Sequence, residues 1–305
     1  MTEQNWKEIF YTSRDGLRLH VRYYPSGYPK RRPLLCLPGL TRNSKDFHKV
    51  ATFLSTNSQF PFDVYSVDYR GRGQSDHDPN WRNYTPFVEA RDILDFLTLR
   101  QLHKVSIIGT SRGGLIAMLF GALRPTILGG LVLNDIGPEI QRLGLLRIRN
   151  YVGRTPVPRD WNEATQIAME INQRQFPNVS QEEWGEIVRM WYNEVDGNPA
   201  PGYDPALSYG LSMIDLSDTL PSMWPQFESL RRCPVMVIKG ENSDILSVET
   251  VDRMAELHEN LVIKTVAGQG HAPLLTDQET LNEIELFLTR SLPGRDRLHI
   301  ASDAA

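Results

Sequence analysis

The sequence is poor in cysteine: Cys36 and Cys233 are the only two in 305 residues. Neither belongs to a C-x-x-C pair or a clustered His/Cys spacing, which excludes the usual zinc patterns, and no metal site is expected. Each lies in or beside a short apolar run, so both are expected to be small reduced hydrophobes of the core, not a disulfide. Long hydrophobic runs are also missing; none approaches the ~20 apolar residues that span a bilayer. The first eight residues are polar and lack the charged-then-apolar order of a signal peptide, so a cytoplasmic protein without a membrane partner is expected. Charge of one sign is not in excess either. The formal net charge is -4, from 33 Lys and Arg against 37 Asp and Glu, which gives no argument for a nucleic-acid partner. There is no internal repeat and no low-complexity stretch. What is present is 40% hydrophobic and 23% charged residues, an ordinary composition for one large α/β domain or two smaller ones.

Residues 9–12 and 17–24 read as an antiparallel hairpin turned at Arg14-Asp15-Gly16, with Leu17, Leu19, Val21 and Tyr23 alternating on one face. After a polar loop at 25–32 the rhythm changes. Strand-like runs at 34–37, 62–67, 105–108 and 130–133 each end at Gly, Pro, Asn or Asp. Between them, helical spacing appears at 87–99 and 115–123. Near-continuous apolar strands separated by helices describe a parallel sheet covered on both faces. Over 138–230 the strand signal fades. Helical pieces at 162–175 and 181–193, with loops rich in Pro and Gly, read as an insertion packed over one edge of the sheet. Strands resume at 234–238 and 261–266, helices at 248–257 and 281–288, and the polar end at 293–305 is expected to fray. The expected organisation is a core of 1–137 with 231–305 and a helical cap of 138–230.

Gly109-Thr110-Ser111-Arg112-Gly113 fits G-x-S-x-G, a weak pattern alone. Its setting strengthens it, because an apolar strand precedes it and an apolar-periodic helix follows. A serine turning sharply between strand and helix needs small neighbours, and the helix N-terminus aims free N–H groups at the reacting centre. Ser111 is therefore the expected nucleophile, and a plain capping serine is the weaker reading. Its base should be His271, in Gly268-Gln269-Gly270-His271-Ala272, on a Gly-flanked loop just after a strand. His299 lies in the polar tail, His258 near a helix end, and His20, His48, His77 and His103 read as solvated or structural. The orienting acid is expected to be Asp244, in Gly240-Glu241-Asn242-Ser243-Asp244, which keeps the order Ser, acid, His. Asp135, in Asn134-Asp135-Ile136-Gly137-Pro138, and Glu241 are the alternatives. Backbone N–H groups of Leu40 and Arg112 are the expected oxyanion donors.

Together, Leu37-Pro38-Gly39-Leu40, the run from Asp68 to Ser75, the elbow at Ser111, the Gly240 to Asp244 stretch and Gly270-His271 resemble the α/β-hydrolase superfamily, in its cap-bearing esterase-like branch. The resemblance implies a mostly parallel central sheet flanked by helices, with a helical cap inserted after the sixth strand. It also implies a serine esterase with a catalytic triad, working through an acyl-enzyme without metal or organic cofactor; it does not specify the substrate, for which the aromatics of the cap suggest a small, apolar molecule. Hydrolysis of a carbon–carbon bond or a lactone, or a non-catalytic receptor, are the rival expectations. A dehalogenase or epoxide hydrolase would resemble relatives with an Asp nucleophile instead. No oligomeric state is implied.

Two departures from the family's habit stand out. Pro38 replaces the usual His of the oxyanion loop, so its support must differ. Arg112 follows the nucleophile, and its side chain is expected to pair with an acid such as Asp135 or Glu139, because an unpartnered buried guanidinium is costly. Binding of a substrate carboxylate is its other reading. The glycines and arginines from Asp68 to Ser75 match no G-x-x-x-x-G-K-[ST] and read as a structural turn. Trp161, Trp184 and Trp191 are pocket candidates, although aromatics at helical spacing more often pack between layers.

Overall fold

The structure is a computed structural model, and it describes residues 5–28 and 32–291. His299 and the whole polar tail, 293–305, lie outside the described residues. In chain order, β1 (Lys7–Thr12) and β2 (Arg18–Tyr24) form the hairpin. Then come β3 (Pro33–Leu37), α1 (His48–Thr52), β4 (Asp63–Asp68), α2 (Pro86–Leu99), β5 (Val105–Thr110), α3 (Arg112–Leu123) and β6 (Leu128–Asn134). The insertion follows, with α4 (Arg142–Tyr151), α5 (Trp161–Asn172), α6 (Gln181–Trp191), β7 (Asn193–Val195), β8 (Asn198–Ala200), α7 (Leu207–Ser212) and α8 (Trp224–Glu228). The chain closes with β9 (Val235–Gly240), α9 (Val248–Leu257), β10 (Leu261–Val266) and α10 (Gln278–Arg290).

Among the described residues the main sheet has eight strands in the order β1-β2-β4-β3-β5-β6-β9-β10. The hairpin pairs antiparallel, as does β2 with β4, and every other pair is parallel. Alternation along the parallel strands feeds two cores. Leu35, Leu37 and Ile107 face Phe96, Ile116 and Phe120 on one side; Leu34, Cys36 and Ile108 face Val50, Leu54 and Ile284 on the other. Each fully buried side chain of this size contributes about 1.5–3 kcal/mol. Both faces are covered, which is why the strand runs lack polar interruptions. Cys36 and Cys233 are free thiols, and burial pushes Cys233 up to about 12. Strand β10 is one of the two edges, and there Lys264 pairs with Glu279 and Glu283, charges that discourage edge pairing.

The sequence pattern understates β2. Leu19, His20 and Val21 are all buried because β2 lies inside the sheet, between β1 and β4. His20 is structural, its Nδ1 lying 2.7 Å from Asp68 Oδ2. The insertion also holds more than its periodicity announces: α4, α7, α8 and the short β7–β8 hairpin. Its own small core joins Ala164, Phe176, Trp184 and Val188, with Leu274 packing onto it from the loop after β10. Backbone bonds stitch it to the loop after β4. Gly73 N–H donates to the Gly202 carbonyl at 2.9 Å, and Asp204 N–H to the Gly71 carbonyl at 2.8 Å. Trp184 and Trp191 of the insertion line one cavity with Thr110 and Asn134, at the carboxyl ends of β5 and β6, where ligands bind in open α/β sheets.

Candidate active site

Strand β5 ends at Thr110 and α3 begins at Arg112, so Ser111 makes the turn alone, at φ 51° and ψ −113°. A non-glycine residue holds such angles only when its surroundings enforce them. The neighbouring glycines show how tight the surroundings are. A Cβ on Gly113 would lie 2.0 Å from the Leu37 carbonyl oxygen, and one on Gly109 would lie 2.7 Å from Gly113. The Ser111 N–H is held by the Asn134 carbonyl at 3.0 Å. The side chain is thereby presented above the sheet.

His271 arrives from the loop after β10. Its Nε2 is 2.8 Å from Ser111 Oγ, and its Nδ1 is 2.8 Å from Asp135 Oδ2. The acid beside the histidine is therefore Asp135, not the expected Asp244. Asp135 caps β6 with φ 54°, and its N–H donates to the Ile238 carbonyl at 2.7 Å. Its Oδ1 accepts the Gly240 N–H at 2.7 Å, and its Oδ2 accepts the Ser243 hydroxyl at 2.5 Å. With these donors and no exposed side-chain surface, the carboxylate has one available position.

Asp244 is turned the other way. Ser243 reaches Asp135, and the following side chain faces α4, where Arg147 grips it through Nε at 2.6 Å and Nη2 at 2.9 Å. Gly144 permits the approach, since a Cβ there would lie 2.3 Å from the Asp244 carbonyl oxygen. Burial pushes the Asp244 carboxyl up, but the hydrogen bond and charge of Arg147 outweigh it and hold it below the ordinary value. Glu241, the third alternative, accepts the Gly268 N–H at 2.7 Å and braces the loop that carries His271.

The Arg112 side chain also has a different partner from those expected. Its Nε donates to Glu89 Oε2 at 2.6 Å and its Nη2 to the Tyr84 carbonyl at 2.8 Å. Glu139 instead accepts the Trp224 indole N–H at 2.7 Å. The other oxygen of Glu89 accepts Arg72 Nη1 at 2.7 Å, while Arg72 Nε donates to the Leu40 carbonyl at 2.9 Å. One fully buried carboxylate thus links the start of α3 to the loop after β3. The same loop is held by the Tyr69 hydroxyl, which donates to the Pro38 carbonyl at 3.1 Å. Tyr69 and Arg72 are the support that replaces the absent histidine. The Asp68 to Ser75 run is accordingly a structural turn whose arginines face inward; Arg70 binds Asp15, Asp78 and Asp92. Periodicity marks Glu89 only as a helix position, and nothing in the sequence singles out Tyr69, Glu89, Ser243 or Arg147 for these contacts.

Ser111 and His271 open into a cavity of about 100 Å³ that Leu40, Phe176, Trp184 and Trp191 also line. Trp161 lines neither this cavity nor the one beside it. Its indole N–H donates to the Gly197 carbonyl at 2.8 Å, and Arg189 stacks on its ring. The adjoining cavity, about 130 Å³, shares Thr41, Arg42, Tyr151, Asn172 and Trp191 with the first. Among the described residues no helix is long and apolar enough to cross a membrane.

Comparison with known proteins agrees with this architecture. The chain is 29% identical over 277 residues to the 3-hydroxybutyrate-oligomer hydrolase of Cupriavidus necator, covering 88% of this chain and 92% of that protein. A solved alpha/beta hydrolase from Novosphingobium aromaticivorans is 35% identical, with a TM-score of 0.86 over 94% of this chain and 99% of its own. The structure of E-2-(acetamidomethylene)succinate hydrolase shares the fold at 22% identity and a TM-score of 0.74, over 93% of this chain and 99% of its own. Residues 34–284 match the Alpha/beta hydrolase family. That span begins in β3 and runs into α10, taking in all the strand ends on which the site is built, and the chain is a member of the α/β hydrolase family.

Proposed function

We propose that this protein is a serine hydrolase that cleaves a carboxylic ester of a small substrate through an acyl-enzyme intermediate. The observation that carries the reading is the unbroken run Ser111 Oγ, His271 Nε2, His271 Nδ1 and Asp135 Oδ2, with both gaps 2.8 Å. In this reading Ser111 Oγ attacks the ester carbonyl while His271 takes its proton on Nε2. Asp135 holds the Nδ1–H tautomer and stabilises the imidazolium. The N–H groups of Leu40 and Arg112 receive the developing oxyanion. Arg112 opens α3, where backbone donors have no partner inside the helix. The loop carrying Leu40 passes close, since a Cβ on Gly39 would lie 4.0 Å from Ser111 Cβ. Loss of the alcohol takes the proton from His271, and water repeats the sequence to free the acid. The insertion acts as a cap over this chemistry, excluding bulk water.

Ester cleavage is favoured over carbon–carbon or lactone cleavage by the relative named as a 3-hydroxybutyrate-oligomer hydrolase. Oligomers of a hydroxy acid are joined by ester links. The two small cavities and their aromatic walls suit a short, largely apolar ester. A fluorophosphonate probe should label the wild-type protein at Ser111 and leave Ser111→Ala unlabelled, and only the wild type should hydrolyse p-nitrophenyl butyrate. A folded wild-type protein that neither labels nor hydrolyses any of a panel of short esters would overturn the reading and favour a ligand receptor.

A further inference from the structure

Four guanidinium groups approach the site, and three are each held by a carboxylate at hydrogen-bond distance. Arg72 is taken up by Glu89 and the carbonyls of Leu40 and Arg70, Arg112 by Glu89 and the Tyr84 carbonyl, and Arg147 by both oxygens of Asp244. Arg42 is different. Its Cζ lies 3.2 Å over the Trp191 ring, and its nearest carboxylate, Asp46, is 3.8 Å away across a loose Nε–Oδ2 contact. Among the described residues its side chain makes no hydrogen bond, although 26% of its surface is exposed. A guanidinium has five N–H donors in a planar fork that matches a carboxylate. Stacking on an indole fixes the plane of that fork without using any of them.

The position of Arg42 gives the unused donors a purpose. It follows Leu40 by two residues, and a Cβ built on Gly39 would touch Arg42 Cγ at 3.5 Å and Ser111 Cβ at 4.0 Å. Arg42 also lines both cavities, so it stands at the passage between the nucleophile and the adjoining space. We propose that Arg42 is a specificity-determining residue that binds a free carboxylate on the substrate, a few bonds from the scissile ester carbonyl. The preferred substrate class is then a carboxylate-bearing ester. This rests on the serine-hydrolase reading above and narrows it. The walls beyond Arg42, including Val157, Ile167 and Ile171, are apolar and take the remainder of the chain.

The test compares charged and neutral esters in pairs. On the alcohol side the pair is 3-butanoyloxybutanoate and its methyl ester; on the acyl side it is monomethyl glutarate and dimethyl glutarate. Release of butanoate or methanol is followed in each case. The quantity read is the ratio of kcat/KM, charged to neutral, which cancels any general loss from disturbed packing on Trp191. Wild type should favour the charged member of at least one pair, and which pair responds identifies the side that bears the carboxylate. Arg42→Gln should lower that ratio roughly 10- to 100-fold, mainly through KM, as expected when a charge-assisted hydrogen bond is lost. Arg42→Lys should recover part of it. A ratio unchanged within about two-fold in Arg42→Gln, or a wild-type preference for the neutral member of both pairs, sinks the assignment while leaving the serine hydrolase intact. Failure of wild type on every ester, with Ser111 unlabelled, removes both.

Discussion

Two carboxylates lie near His271, and replacing each by its amide separates their roles. In Asp135→Asn the new side chain keeps one oxygen and gains two N–H donors. The site offers it three donors: the Gly240 N–H, the Ser243 hydroxyl and the His271 ring. If the oxygen accepts from Gly240, the amide nitrogen faces His271 Nδ1 and forces that atom to accept. The ring proton then moves to Nε2, which can no longer take the Ser111 proton. An exchange of this kind costs about 10⁴-fold in kcat, or about 5.4 kcal/mol of barrier at 1.36 kcal/mol per decade. In Asp244→Asn the bidentate pair with Arg147 is weakened, but no atom of the Ser111, His271 and Asp135 chain changes partner. Both members of that pair are about three-quarters buried, at 26% and 29% exposure. The expected cost is about 1 kcal/mol of stability and less than about three-fold in kcat. Hydrolysis of p-nitrophenyl butyrate and urea unfolding of both variants read the two quantities separately. Equal losses of kcat in the two variants, or a larger loss in Asp244→Asn, would refute the assignment of Asp135.

Glu89→Gln should be among the most destabilising single changes outside the apolar core. It leaves two buried guanidinium groups without their shared counter-charge, worth about 3–5 kcal/mol in urea unfolding; an effect below about 1 kcal/mol would contradict the role given to Glu89. Burial pushes Asp46 up to about 6, with Arg42 and Lys45 opposing, against an ordinary value of 3.8. A raised acid binds its proton more tightly when folded, so this group gains stability for the fold as pH falls from about 6 to about 4. Asp46→Asn should therefore be the more stable protein at pH 7, by at most about 3 kcal/mol, with the difference shrinking towards pH 4. A difference that stays constant over that range would exclude Asp46 as its source.

The sheet was legible because buried parallel strands leave unbroken apolar runs, and the elbow because two glycines must flank a one-residue turn. His271 was legible because its loop follows the last core strand. Which carboxylate lies beside His271 was not, for a definite reason. The order Ser, acid, His is obeyed equally by Asp135 and Asp244, so order could not separate them. The decision lies in Ser243 reaching one way and Arg147 gripping the other, contacts between segments about a hundred residues apart in sequence. The partner of Arg112 was hidden likewise, since Glu89 sits on a helix whose pattern reports only that one face is buried. Trp161 shows the limit of composition: an aromatic residue in the insertion, yet outside both cavities.

The linkage through Glu89 has a consequence for how this site tolerates change. The loop after β3 and the start of α3 hang from opposite oxygens of a single carboxylate, on a helix that never meets the cavity. Their separation is thus tied to the packing of α2, with the Tyr69 hydroxyl holding the loop beside it. Residues of the insertion can be exchanged to suit a new substrate without retuning that spacing. Conversely, a repacking of α2 far from the cavity reaches the chemistry directly, as a change in turnover before any change in substrate affinity.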